Sequence, residues 1–114
     1  MRRDYRRAVE ILTAVLESEP ANSDVLLLLG MTYDKWGLRK YEDAKNYYRR
    51  LAETENRTAQ FTGLYFLSSV LHAQKDYSSL IPVCERLLKE HGNMPETNQS
   101  VIQSRLTQAK KSLQ

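Results

Sequence analysis

The sequence predicts an all-α chain of about six helices folded as antiparallel hairpins. Apolar residues recur at helical spacing throughout, and no segment alternates with period two over a useful length. The connections between periodic segments are only a few residues long, which makes consecutive helices antiparallel neighbours. One set of spacings is used three times at a constant separation.

The first helix is expected over about residues 4–18, with Tyr5, Ala8, Leu12 and Val15 inward and Pro20 as its stop. The second follows Ser23 as its cap, carries Asp24 in its first turn, and puts Leu26, Leu29 and Tyr33 on one face before Gly37 ends it. The third covers about 41–53, with Ala44, Tyr48 and Leu51 inward, and the fourth about 59–74, along Leu64, Leu67 and Leu71. The fifth starts near Ser78 or Ser79, so that Pro82 falls in a tolerant first turn, and it ends at His91 and Gly92, where Gly92 supplies a left-handed cap. The sixth starts near Pro95 and carries Ile102, Leu106, Ala109 and Leu113 on one face.

The repeated set is Ala8, Leu12, Val15 and Pro20, then Ala44, Tyr48, Leu51 and Asn56, then Leu80, Cys84, Leu87 and Gly92, each beginning 36 residues after the last. A second pattern interleaves: Leu26, Leu29, Gly30 and Tyr33 match Leu64, Leu67, Ser68 and Leu71. The small residue in each lets a facing helix pass close by. Tyr41 and Tyr77 stand three residues before Ala44 and Leu80, where an aromatic ring wedges the turn.

These residues resemble the tetratricopeptide repeat, on the strength of Leu29-Gly30-x-x-Tyr33, Tyr41-x-x-Ala44-x-x-x-Tyr48, and Ala8 with Pro20. The departures are Leu80 for the usual alanine, Asn56 and Gly92 for the usual proline, and about two extra residues in each of two turns. The resemblance implies hairpins stacked in a right-handed superhelix. It divides the single domain into the second helix of a partial repeat (4–22), two full repeats (23–56 and 57–93) and a capping helix (94–114).

Composition agrees with one soluble domain: 114 residues, 41% apolar and 27% charged, with 4 Gly and 3 Pro. A core of this size needs no disulfide or metal staple, and the lone Cys84 excludes an internal disulfide and fits a reducing compartment. The charged, periodic start is unlike a secretory signal, and the longest apolar run, 25–29, is far short of a membrane span. The expectation is a cytoplasmic protein or a soluble part of a larger scaffold.

No catalytic constellation, cofactor site or metal site is expected. His72 and His91 lack ligand spacing, the glycines form no phosphate loop, and Glu42 and Asp43 belong to a first helical turn. Cys84 falls in the apolar slot of Leu12 and Tyr48, which marks it as an inert core thiol.

The resemblance implies instead a groove lined by first helices that binds a protein or peptide, with no small-molecule substrate and no membrane insertion. Its positions are Asp24, Leu27, Met31 and Asp34 on the second helix and Thr62, Tyr65, Ser69 and His72 on the fourth, with Leu28 and Phe66 one residue further along. The same region is also apolar enough to be covered by neighbouring helices. A Lys, Asn and Arg clamp for a carboxy-terminal carboxylate is missing, since Leu27, Met31 and Tyr65 stand there. RNA binding through Arg2, Arg3, Arg6 and Arg7, with Arg49 and Arg50, is the weaker alternative, and a purely structural segment is another. The broad apolar arc of the first helix, which adds Val9, Ile11 and Leu16, predicts contact on both its sides, from upstream repeats of a longer array in preference to a second copy, and weak self-association of this segment taken alone.

Overall fold

The computed structural model describes residues 4–35 and 39–114. Among them are six α-helices and no strand: α1 (Tyr5–Ser18), α2 (Ser23–Asp34), α3 (Tyr41–Ala52), α4 (Arg57–Ala73), α5 (Tyr77–Glu90) and α6 (Glu96–Ser112). Arg2 and Arg3 of the basic cluster, and Gly37 as a helix stop, lie outside the described residues. The chain divides into two compact units, Met1–Gly63 and Leu64–Gln114, with the division inside α4.

In the first unit, side-chain oxygens set the starts of α1, α2 and α4, while α3 begins after Lys40 with no side-chain cap. Asp4 accepts from the Arg7 N–H (3.2 Å) and opens α1. Asn22, not Ser23, opens α2, accepting from the Val25 N–H at 3.1 Å. Asn56, which the sequence marks only as a stop for α3, accepts from the Ala59 N–H at 2.9 Å and so starts α4 as well. A short Asn side chain on non-helical backbone satisfies a donor that the first turn leaves orphaned.

The core of this unit joins Leu16, Val25, Leu26, Leu29, Leu51 and Ala59, with Val9, Leu12, Val15 and Tyr33 packed against it. The inward face of α1 keeps Leu12 and Val15 of the expected stripe and adds Val9 and Leu16, while Tyr5 and Ala8 are only partly buried. The α2–α3 pair is antiparallel: Leu26 and Leu51 share the core, while at the other end of α2 the Tyr48 hydroxyl donates to Asp34 at 3.0 Å. Gly30 allows this approach. A Cβ there would overlap Tyr48 Cε1 and stand 2.7 Å from Cδ1. Gly63 does the same for α4 on α3, where a Cβ would meet backbone, Ala52 N at 2.5 Å and Tyr48 O at 2.6 Å.

In the second unit, α4 ends in a Schellman turn. The Asp76 N–H bonds back to the Leu71 carbonyl (3.0 Å) and the Lys75 N–H to that of His72 (3.1 Å). Lys75 takes the left-handed conformation this requires, at φ 58°. Asp76 then caps α5 through the Ser79 N–H. Because α5 begins at Tyr77, Pro82 lies in the helix interior and not in the first turn, so the Ser78 carbonyl has no i+4 donor; both residues are exposed. The left-handed cap expected at Gly92 is absent: α5 closes on His91, at φ −126°, and Gly92 stays outside that region of backbone space.

The α5–α6 pair is antiparallel, with Lys110 reaching Glu85 at 3.7 Å. Against α4, α6 runs parallel: Arg105 meets Ser68 (2.8 Å) and, one turn on, Gln108 meets His72 (2.9 Å). First helices of successive hairpins in a stacked array have this relation.

Candidate partner-binding faces

Five of the ten candidate groove residues lie on α2. Asp24, in the first turn, and Leu28 are exposed, Leu28 to 38%; Leu27, Met31 and Asp34 are partly buried. The spacing puts them on one strip of the helix, apolar in the middle and acidic at both ends. The opposite side of α2, through Leu26, Leu29 and Gly30, is fully buried. Leu27 itself packs against the core of this unit, so the apolar surface left over on this side of α2 is that of Leu28 and Met31. Asp34 is fixed by the Tyr48 hydroxyl, whose pKa is raised by burial and by the Asp34 charge and hydrogen bond, so the phenol stays a donor.

The α4 candidates are Thr62, Tyr65, Phe66, Ser69 and His72, all partly buried. Thr62 falls in the first unit and returns its hydroxyl to the Thr58 carbonyl at 2.9 Å. The other four lie in the second unit, where α6 takes up part of their face. The Arg105 guanidinium lies 5.4 Å from the Tyr65 ring centroid and donates to the Ser68 hydroxyl, which in turn donates to the Tyr65 carbonyl at 2.7 Å. His72 is paired with Gln108. Phe66 meets Tyr65 edge-on, centroids 6.3 Å apart. Arg105 is the contributor that sequence reasoning missed. Its signal was a charged residue three positions after Ile102 and one before Leu106, at the rim of an apolar stripe.

A different surface forms around α3. Tyr33 and Tyr47 stack with planes 6° apart, and Arg50 lies 5.8 Å from the Tyr47 centroid while donating to the Pro20 carbonyl at 3.3 Å. Tyr47 and Arg50, with Asp43, Asn46, Arg49 and Glu53, line a shallow, charge-balanced depression. Arg6, Arg7 and Arg49 are exposed. Cys84 is buried, and burial pushes its thiol up to about 11 against the partly opposing pull of Arg105; it is protonated at neutral pH and a poor nucleophile. Among the described residues no group of three or more His, Cys, Asp or Glu could hold a metal ion, and no helix is long and apolar enough to cross a membrane.

Antiparallel hairpins, small residues at the close contacts and parallel first helices define a helical-hairpin repeat protein. Residues 33–95 match the family model for the tetratricopeptide repeat, more than half of the 114 residues. The chain belongs to the tetratricopeptide-repeat family. Repeats of this family generally mediate protein–protein interaction. No curated protein and no solved structure gives a significant match.

Proposed function

We propose that the chain is a non-enzymatic module that binds segments of another protein on its first helices, at the strip of α2 and, separately, at the partly buried strip of α4. The observation that carries this reading is the α2 strip: Leu28, 38% exposed, sits with Leu27 and Met31 between Asp24 and Asp34. An apolar strip with charged ends suits a partner segment that buries a few aliphatic or aromatic residues, and Met31 adapts its shape to them. On this reading 23–56 and 57–93 are the two full repeats, and 94–114 is a cap whose Arg105 and Gln108 narrow the strip on α4. The lone buried thiol fits a cytoplasmic setting. Protein is favoured over RNA because Tyr33 and Tyr47, the rings beside Arg50, are stacked on each other and do not offer a free platform.

The test uses a displayed library of random peptides selected on the chain. Peptides recovered by the wild type should be lost by Leu28→Glu and Met31→Glu, and weakened by Tyr65→Glu, while circular dichroism shows unchanged helicity. Equal binding of those peptides by all three folded variants would place the site elsewhere.

A further inference from the structure

Given the protein-binding role proposed above, on which this rests, we propose that the second unit takes an acidic segment of its partner along α4 and α6, and that Arg105 receives one side-chain carboxylate of that segment. On α4, Tyr65, Ser69 and His72 follow the i, i+4, i+7 spacing of one helix face, and on α6, Val101, Arg105 and Gln108 repeat it 36 residues later. The two helices run parallel, so the strips lie side by side in register. The Arg105 guanidinium is 5.4 Å from the Tyr65 ring centroid, and Gln108 is bonded to His72 at 2.9 Å. One end carries Tyr65 and Val101, the latter 37% exposed; Arg105 stands in the middle, and the His72–Gln108 pair at the other end.

Charge selects the occupant. Arg105 is partly buried, and among the described residues Ser68 is its one hydrogen-bond partner. A guanidinium has five N–H donors, so most of them have no protein acceptor. The ion pairs among the described residues belong to Lys45, Arg86 and Lys110, and no carboxylate pairs with Arg105. A cation drawn partly out of water is ordinarily paired with an anion. Ser68 and the Tyr65 ring hold the guanidinium in place beforehand, so little side-chain freedom is lost when a carboxylate arrives. None of the other five strip residues carries an acid that would compete for it. A single cation suits a single carboxylate, whereas a nucleic-acid strand needs a row of cations along its phosphates. Val101 precedes Arg105 by one helical turn, about 6 Å along α6. Residues i and i+2 of an extended chain point the same way about 6.5 Å apart. The segment that fits therefore has Asp or Glu two residues from an aliphatic or aromatic side chain.

Peptides selected on the full chain from a random displayed library are sorted by the variant that fails to bind them. Those lost by Tyr65→Ala should be enriched in an acid two residues from an apolar side chain. Synthetic copies, amidated at the carboxy terminus so that only side-chain carboxylates remain, should lose about tenfold in affinity when that acid is replaced by its amide. Arg105→Gln should cost the same, and the two changes together no more than either alone. Peptides that depend on Leu28 should bind Arg105→Gln as they bind the wild type, which checks its folding; the change on the peptide side needs no variant protein. Additive losses, or Tyr65-dependent peptides indifferent to their acid, overturn the assignment to Arg105 and leave the protein-binding role standing. So does a library that yields only Leu28-dependent peptides. A library that yields no peptide overturns both. Oligouridylate at physiological salt should bind the wild type no better than Arg105→Gln; binding that this variant abolishes would assign the strips to RNA and overturn the acidic segment.

Discussion

At the scale of single residues, two glycines fix how closely helices approach, and they do so against different obstacles. At Gly30 the obstacle is the Tyr48 ring, which is fully buried and held at its hydroxyl by Asp34. At Gly63 the obstacle is backbone, Ala52 N and Tyr48 O, which moves only if the whole α3–α4 contact opens. Alanine in a helix interior is intrinsically better than glycine by about 1 kcal/mol, so an Ala at a roomy site would stabilise. Gly63→Ala should instead destabilise, and Gly30→Leu should cost about 1–3 kcal/mol by overpacking. Urea unfolding reads both; an unchanged midpoint for either variant would mean that its pair of helices is further apart than described.

At the scale of helices, the boundaries follow from local chemistry that is strong at the starts and weaker at the ends. Asp4, Asn22, Asn56 and Asp76 each satisfy an orphaned N–H of the helix they open. Asn22 and Asn56 stand 34 residues apart, so the cap is part of the repeat even though the proline of Pro20 is not kept. The end of α4 is closed by Lys75, an exposed side chain on left-handed backbone. That conformation costs a non-glycine residue roughly 1–2 kcal/mol, and the greater unfolded-state freedom of glycine offsets part of what removing it would gain. Lys75→Gly should therefore raise the melting temperature modestly, with no change in α4 or α5 helicity. A lowered melting temperature would mean that the lysine side chain contributes a contact of its own.

At the scale of the whole molecule, the buried Cys84 and Tyr48 and the partly buried Tyr33 make stability depend on alkaline pH. Burial raises the Cys84 thiol from 9.0 to about 11. Tyr48 is raised from 10.0 by burial and then by Asp34, and Tyr33 by burial and then by Tyr47 and Asp43. In each case the folded state holds its proton more tightly than the unfolded chain. Their contribution is complete below the unfolded pKa and is lost as pH rises toward the folded one. Melting temperature should be insensitive to these groups below about pH 9, then fall through the thiol's range from 9.0 to about 11 and further as the unfolded tyrosines ionise above 10.0. Tyr48→Phe should be less stable at neutral pH, having lost the bond to Asp34, but should show a shallower fall above pH 10.0. Parallel curves for the two proteins would show that Tyr48 ionises equally in both states.

The number, order and approximate span of the helices, the antiparallel pairing of α2 with α3, and the close contact at Gly30 were legible in the sequence, because apolar period, short connections and small residues are local properties that recur from repeat to repeat. Family membership was legible for the same reason. Tertiary structure decided what depends on which neighbour arrives. It added Val9 and Leu16 to the inward face of α1, beside Leu12 and Val15. It gave Gly63 a role, since an isolated helical glycine says nothing of a backbone passing 2.5 Å from its missing Cβ. It also brought Arg105 onto the Tyr65 ring and onto Ser68, the latter across 37 residues of chain. A long, flexible cation at the rim of an apolar stripe extends to solvent or folds over a ring according to what lies within its reach, and only the packed fold supplies that.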